Sequence, residues 1–145
     1  TTEPLQADAP AKTLCGRCVA CIEACPTDAI REPFVVDAQR CLAFHTIENR
    51  DPDLPDSIKT SLGPWIAGCD ICQDVCPWNH RDLPSSEDPD MQPRPWLLNV
   101  NAQDLQNWDD ATWDQQLRGS ALRRIKPWMW RRNAAAAQPD LPPNL

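Results

Sequence analysis

The sequence predicts an α+β module followed by a short α-helical appendage, on three observations. All eight cysteines lie between Cys15 and Cys76, and seven of them form two runs. A β-prone stretch at residues 34–36 lies between these runs, beside segments whose apolar residues have helical spacing. Sixteen prolines and only four glycines among 145 residues indicate short segments joined by stiff connections. A core this modest often needs a metal or disulfides, and the cysteines can supply either.

Spacing and capping residues predict the elements of the first half. Phe34–Val36 is expected to form one short strand. Residues 38–49 are expected to form a helix with Asp37 as its N-cap. Asp56–Leu62 is expected to form a second short helix, which Gly63 ends.

The second half has a different composition. Asn101 is expected to cap one short helix, and Asp109 or Asp110 to begin another. A basic helical stretch at residues 121–137 follows, with an interruption at Pro127. The last residues of the chain are expected to fray. This half is therefore predicted to be helical.

The first cysteine run, residues 15–26, reads Cys-Gly-Arg-Cys-Val-Ala-Cys-Ile-Glu-Ala-Cys-Pro. This is the C-x2-C-x2-C-x3-C-P spacing of bacterial ferredoxins. Each iron corner of a cubane takes one thiolate, and the two-residue gaps wrap one loop over three corners. The fourth cysteine reaches a neighbouring cluster. The run therefore predicts [4Fe–4S] ligation.

The second run, residues 69–77, keeps only the last three cysteines of that motif. Ile66 stands where the first cysteine would be, and Cys41 is the one cysteine outside both runs. The ligand count is complete if Cys41 takes this place. Crossed ligation then predicts two sets of four thiolates. They are Cys15, Cys18, Cys21 and Cys76 on the first cluster, and Cys25, Cys41, Cys69 and Cys72 on the second.

Two other uses of the cysteines are disfavoured. Four disulfides are typical of shorter secreted chains, and the C-x2-C-x2-C loop would strain any pairing within it. Structural zinc prefers two separated C-x2-C pairs. Apolar residues between the ligands also favour clusters, because they would shield them from water. These residues are Val19, Ile22, Ala24, Ile30, Ile71, Val75 and Trp78.

With both sites placed, the predicted fold class is a ferredoxin-like module with two [4Fe–4S] clusters and a short helical appendage. Acidic residues and prolines after the second run predict a surface linker. Because the chain begins at Thr1 and not at Met, we expect it to be a piece of a longer protein. The predicted division is an extended segment at 1–12, the two-cluster domain at 13–79, a linker at 80–95 and the appendage at 96–145.

Charge is distributed unevenly along the chain. The net charge is −7, yet residues 118–132 hold six basic residues and no acidic one. With its interleaved tryptophans, this stretch suits either binding of nucleic-acid phosphates and bases or packing of a solvated helix on the domain. No run of 18 apolar residues is present, so no membrane span is expected.

Longer motifs extend beyond the cysteine spacing. The first run continues to Cys-Pro-Thr at 25–27, and Asp-x-x-Arg-Cys at 37–41 and Thr-Ile-Glu at 46–48 follow. The second run lies in Gly-Cys-Asp-x-Cys-Gln-x-Val-Cys-Pro-Trp-Asn at 68–79. Arg-Gly-Ser at 118–120 and Arg-Asn at 132–133 come near the end. Together these motifs resemble the iron–sulfur portion of the epoxyqueuosine reductases.

The resemblance implies a function and a set of cofactors. The family reduces the epoxide of epoxyqueuosine in tRNA and pairs cobalamin with two [4Fe–4S] clusters. Its cobalamin-binding region and catalytic acid lie N-terminal to the cysteine runs. This segment is therefore expected to carry electrons but to be inactive alone. A cytoplasmic monomer, tRNA as partner and an external donor such as a flavodoxin or ferredoxin system are also implied.

Six further residues are candidate contacts. His45 and Thr46 lie close to Cys41 in sequence and are candidates for cofactor binding. The basic stretch supplies candidates for tRNA binding, namely Arg123, Arg124, Arg131 and Arg132.

Two alternatives stay open from the sequence. A stand-alone two-cluster electron carrier would have the same cysteines, but it would be expected to end soon after Cys76. The cluster domain of a reductive dehalogenase is the other alternative. A twin-arginine signal upstream would favour it.

Overall fold

The computed structural model describes residues 2–4, 6–80 and 85–138. The predicted frayed end, 139–145, lies outside these residues, as does part of the predicted linker, 81–84. The described residues form a two-stranded sheet and seven short α-helices. The strands are β1 (Ile30–Glu32) and β2 (Val35–Val36). The helices are α1 (Ala20–Glu23), α2 (Leu42–Ile47), α3 (Asp56–Ser61), α4 (Ile71–Asp74), α5 (Ala102–Asn107), α6 (Asp110–Leu117) and α7 (Pro127–Ala136).

The sheet is an antiparallel hairpin. Ile30 pairs with Val36, and Glu32 pairs with Val35. Phe34 has φ 69°, in the left-handed region that a tight turn uses. The prediction of one strand at Phe34–Val36 was therefore wrong about Phe34 and lacked the partner strand β1, which supplies the backbone hydrogen bonds.

The helix predicted for residues 38–49 is interrupted at Cys41. Asp37 is an N-cap as predicted, since its Oδ1 accepts a hydrogen bond from the Gln39 backbone N–H at 3.0 Å. Only a 3-10 turn, Ala38–Arg40, follows this cap. Cys41 then has extended backbone (φ −76°, ψ 123°), and α2 starts after it. The break thus falls at the cysteine that the ligand count assigned to a cluster.

Local capping sets the ends of the C-terminal helices as predicted. Asn101 and Asp104 form a reciprocal capping box at the start of α5. The Asp109 side chain accepts from the Thr112 N–H at 2.7 Å and begins α6. The basic stretch contains a 3-10 turn, Ala121–Arg124, and α7 begins at Pro127, a residue that fits the first turn of a helix.

Two apolar clusters hold these elements together. The C-terminal core consists of Leu105, Leu117, Ile125, Met129, Trp130 and Ala134. Ile47, Ile66 and Ala67 from the cysteine-bearing half pack against it. A smaller core of Leu42, Leu54, Ile58 and Leu62 receives Ala136 of α7. Helix α7 therefore contacts both cores. The domain boundaries drawn from the sequence stay a prediction.

Candidate iron–sulfur site

Both cysteine runs fold into the same one-turn helix. The residues that precede α1 and α4, Val19 and Asp70, have φ/ψ of −123°/11° and −110°/8°. The residues that end them, Ala24 and Val75, have −82°/−10° and −84°/−5°. The two short helices pack against each other. The duplication seen in sequence is therefore a duplication of backbone conformation. It makes equivalent pairs of Cys18 and Cys69, Cys21 and Cys72, and Cys25 and Cys76.

Four cysteines line one cavity of about 60 Å³, together with Ala20, Pro77 and Trp78. Three of the cysteines come from the first run and the fourth comes from the second. We call this cavity site A. Its cysteines are Cys15, Cys18, Cys21 and Cys76.

The other four cysteines line a second cavity, of about 40 Å³. Apolar side chains complete its wall, including Ile30, Leu42 and Ile71. We call this cavity site B. Its cysteines are Cys25, Cys41, Cys69 and Cys72. The structure therefore brings together the same two sets of four that crossed ligation predicts.

The donors and the space between them fit a [4Fe–4S] cubane. All eight cysteines, each within the described ranges, are free thiols. Four thiolates on one zinc ion would close to about 2.3 Å from the metal. Among the described residues, no group of three or more His, Cys, Asp or Glu side chains converges closely enough to hold a single metal ion; each cysteine set instead lines the wall of a cavity. A cubane fills the space between four cysteines and binds one thiolate at each iron.

The two sites differ in their access to solvent. At site A, Cys15 and Cys18 are exposed, and the neighbouring Leu14 and Val19 are 68% and 41% exposed. The four cysteines of site B are all partly buried. The predicted shielding by apolar residues therefore holds for Ile30 and Ile71, which line site B, better than for Val19.

Burial also changes the acidity of the site B thiols. It raises the pKa of Cys69 to about 11, with a further contribution from the neighbouring cysteines. The pKa of Cys72 is raised as well, mainly by burial. These thiols are protonated at neutral pH before iron binds, so cluster assembly must release their protons.

Cys25 has the opposite shift. Burial acts to raise its pKa, but hydrogen bonds from Thr27, Ala29 and Ile30 lower it by more, so the net shift is downward. The Ala29 N–H lies 3.2 Å from the Cys25 Sγ. Donors of this kind stabilise negative charge on sulfur, and they raise the reduction potential of a cluster that the sulfur binds.

The structure places His45 and Thr46 inside the protein. His45 is 3% exposed; its Nε2 lies 2.9 Å from the Gln39 carbonyl oxygen and its Nδ1 lies 3.1 Å from the Asn49 amide nitrogen. The Thr46 hydroxyl donates to the Leu42 carbonyl and accepts from the Gly68 N–H. Cofactor contact by these atoms stays a prediction that their geometry does not support.

The four arginines predicted to bind tRNA all have partners within the chain. Three of them pair with carboxylates: Arg123 with Asp114, Arg124 with Glu48 and Arg131 with Asp110. Arg132 instead donates to the backbone carbonyls of His45, Asn49 and Asp51. Contact of these residues with tRNA stays a prediction.

Asn133 was missed at the sequence level. It is fully buried in α7, and its side chain contacts two segments of the cysteine-bearing half. In the sequence, Asn133 stands out only as part of the Arg-Asn motif at 132–133. That motif does not indicate which groups the Asn133 side chain contacts.

Comparison with known proteins agrees with this geometry. The family profile described as "4Fe-4S double cluster binding domain" matches residues 14–79. The epoxyqueuosine reductase of Synechococcus sp. (strain CC9605) is 77% identical over 145 residues, which are the whole of this chain and 45% of that protein. The chain is homologous to part of the epoxyqueuosine reductases. The predicted resemblance is thereby confirmed.

Solved structures of epoxyqueuosine reductases have the same fold. That of the Bacillus subtilis enzyme matches with a TM-score of 0.81 and 31% identity, over 92% of this chain and 35% of that one. A crystal structure of an epoxyqueuosine reductase with an epoxyqueuosine-modified tRNA stem loop matches with a TM-score of 0.75 and 32% identity, over 92% and 35%. The chain thus spans less than half the length of these relatives.

The helices were also compared with the length that a bilayer requires. Within the part of the chain that the structure describes, none is long and apolar enough to cross a membrane.

Proposed function

We propose that this chain is the electron-relay part of an epoxyqueuosine reductase, with one [4Fe–4S] cluster at site A and one at site B. The observation that carries the proposal is the pair of cavities, each lined by one complete crossed set of four cysteines. The relatives that match the whole chain, or nearly all of it, are named epoxyqueuosine reductases, which supports this function over a stand-alone carrier or a reductive dehalogenase.

A bound cluster accepts and passes on one electron at a time. The cysteine thiolates of this chain hold the irons, and the packing of α1 against α4 keeps the two sites adjacent. The exposed cysteines of site A suit entry of electrons from an external donor, such as a flavodoxin or ferredoxin. The apolar wall of site B excludes water there.

The names of the relatives support a proposal for the substrate, and the family resemblance supports one for the remaining cofactor. We propose epoxyqueuosine in tRNA as the substrate, cobalamin as the group that the clusters reduce, and the cytoplasm as the location. Cobalamin and the catalytic acid are placed outside these residues, so the segment is inactive alone.

Iron analysis and single-turnover reduction test the proposal. Anaerobically reconstituted full-length protein is expected to hold about eight irons and about eight sulfides. Cys41→Ala in that protein is expected to keep tRNA binding but lose reduction of the epoxide. A wild-type content of four irons, or one equivalent of zinc per cysteine set, would contradict the two-cluster assignment. Normal turnover by Cys41→Ala would contradict the relay.

The basic stretch is proposed to contribute to tRNA binding. Arg124 is the best single probe, because its side chain is 66% exposed while it pairs with Glu48. Arg124→Ala is expected to weaken tRNA binding and to reduce the dependence of binding on salt. Lys59→Ala, which removes a charge on α3, is the control. Equal effects of the two substitutions, or none from Arg124→Ala, would leave the packing alternative as the role of this stretch.

A further inference from the structure

The second cysteine run has no counterpart of Cys15, the cysteine that begins the first run. In the structure, other contacts hold the segment that precedes Cys69. Ile66 lies three residues before Cys69, as Cys15 lies three residues before Cys18, so it stands at the place of Cys15 in the sequence. The Ile66 side chain packs against the C-terminal core. Its carbonyl oxygen accepts a hydrogen bond from the Asn133 amide at 2.9 Å. A protein contact therefore holds the chain where a cluster ligand would otherwise hold it.

Asn133 links this segment to the helix that follows Cys41. The same amide nitrogen donates its second hydrogen to the Thr46 carbonyl in α2, at 2.8 Å. The Asn133 carbonyl oxygen accepts two bonds from the Arg132 guanidinium, at 2.9 and 3.0 Å. The buried amide is thus fully satisfied, and it is held in the one orientation in which its donors face the two carbonyls.

Thr46 makes a second link between the same segments. Its hydroxyl donates to the Leu42 carbonyl at 2.9 Å and accepts from the Gly68 N–H at 3.0 Å. Leu42 directly follows Cys41, and Gly68 directly precedes Cys69. Both Thr46 and Asn133 are fully buried, where an unpaired polar group is costly. The two links therefore fix the backbone on either side of site B.

We propose that Asn133 and Thr46 are positioning residues for site B, which set the separation of Cys41 from Cys69 and replace the support lost with the first cysteine of the second run. The inference rests on the proposed cluster at site B. It gives α7 a direct influence on the geometry of one cluster. Their hydrogen bonds reach the segments that carry Cys41 and Cys69, so site A is expected to be affected much less.

Thr46 offers a matched set of variants. Thr46→Val keeps the shape and removes the hydroxyl, whereas Thr46→Ser keeps the hydroxyl. Thr60 is the control: its hydroxyl donates to the carbonyls three and four residues back, as Thr46 does, but it lies on exposed α3. Thr60→Val therefore removes the same local bond at an exposed residue that lines neither site A nor site B. Asn133→Ala tests the other link.

The readouts are the electron paramagnetic resonance spectrum and midpoint potential of each cluster in the reconstituted full-length protein. Cys15→Ala and Cys41→Ala, which disrupt one set each, assign the signals to sites. We expect Thr46→Val and Asn133→Ala to shift the spectrum and potential of site B, with loss of part of its iron. Thr46→Ser and Thr60→Val are expected to match the wild type, and site A to be unchanged throughout.

The results distinguish failure of the positioning role from failure of the proposed function. An unchanged site B in folded Thr46→Val would overturn the positioning role, as would equal shifts at both sites. If Asn133→Ala fails to fold, the comparison of Thr46→Val with Thr46→Ser still tests whether the Thr46 hydroxyl positions site B. A wild-type protein with only one cluster would instead contradict the proposed function, before any variant is compared.

Discussion

The two cysteine runs form the same one-turn helix but have different surroundings. The first begins with an exposed cysteine beside exposed apolar residues, and its cysteines supply three of the ligands lining site A. The second begins with Ile66, which packs into the C-terminal core, and site B takes Cys41 from a distant segment. Under the proposed assignment, Cys41 replaces the ligand that the second run lacks, and packing on the C-terminal core replaces its support.

The sharpest way to break this comparison is to remove one ligand from each site. Cys15→Ala and Cys41→Ala are each expected to lower the iron content from about eight to about four, because a cubane needs four protein ligands. The surviving cluster should differ between the two variants. Iron and sulfide assays with electron paramagnetic resonance check this. The same surviving signal in both proteins would contradict two separate sites.

A core substitution tests the support of the second run. Leu117 is fully buried in the C-terminal core. Leu117→Ala is expected to lower the free energy of unfolding by about 2–5 kcal/mol, because it removes buried methyl groups and leaves a cavity. Leu98→Ala is the control, since Leu98 is 72% exposed and should change stability by no more than about 0.5 kcal/mol. Denaturant titration measures both. If Leu117→Ala lowers the free energy of unfolding by less than about 1 kcal/mol, the C-terminal core contributes little to the stability of the fold.

The smallest expected effect comes from restoring the missing cysteine. The described residues that line site B do not include Ile66, whose side chain packs on the C-terminal core. Ile66→Cys added to Cys41→Ala is therefore expected to leave the iron content where the single variant has it. Recovery to the wild-type iron content would show that residue 66 can still reach the cluster.

The sequence was most informative where chemistry is local. Cubane ligation constrains cysteine spacing, so both sets of four were predicted from the order of the cysteines and a count. Asn101, and either Asp109 or Asp110, were predicted to begin helices because such side chains cap the first backbone N–H groups. In the structure Asn101 and Asp109 each accept from the N–H three residues ahead. These features depend on a few neighbouring residues and little else.

Features that depend on distant contacts were not predictable. Arg132 donates to carbonyls more than 80 residues earlier, and its pKa is lowered by burial. From sequence it looked like a solvated or phosphate-binding residue. The break at Cys41 was hidden for a similar reason, since periodicity alone favours one continuous helix there. Asn133 carries no local signal for the two carbonyls that it joins.

Crossed ligation is the central claim, and Cys76 tests it most directly. Cys76 belongs to the second run by sequence, but it lines site A with three cysteines of the first run. Cys76→Ala is expected to erase the same cluster signal as Cys15→Ala and to leave the signal that Cys41→Ala erases. If Cys76→Ala instead removes the signal lost in Cys41→Ala, each run would ligate its own cluster, and the assignment of ligands to sites A and B would be wrong.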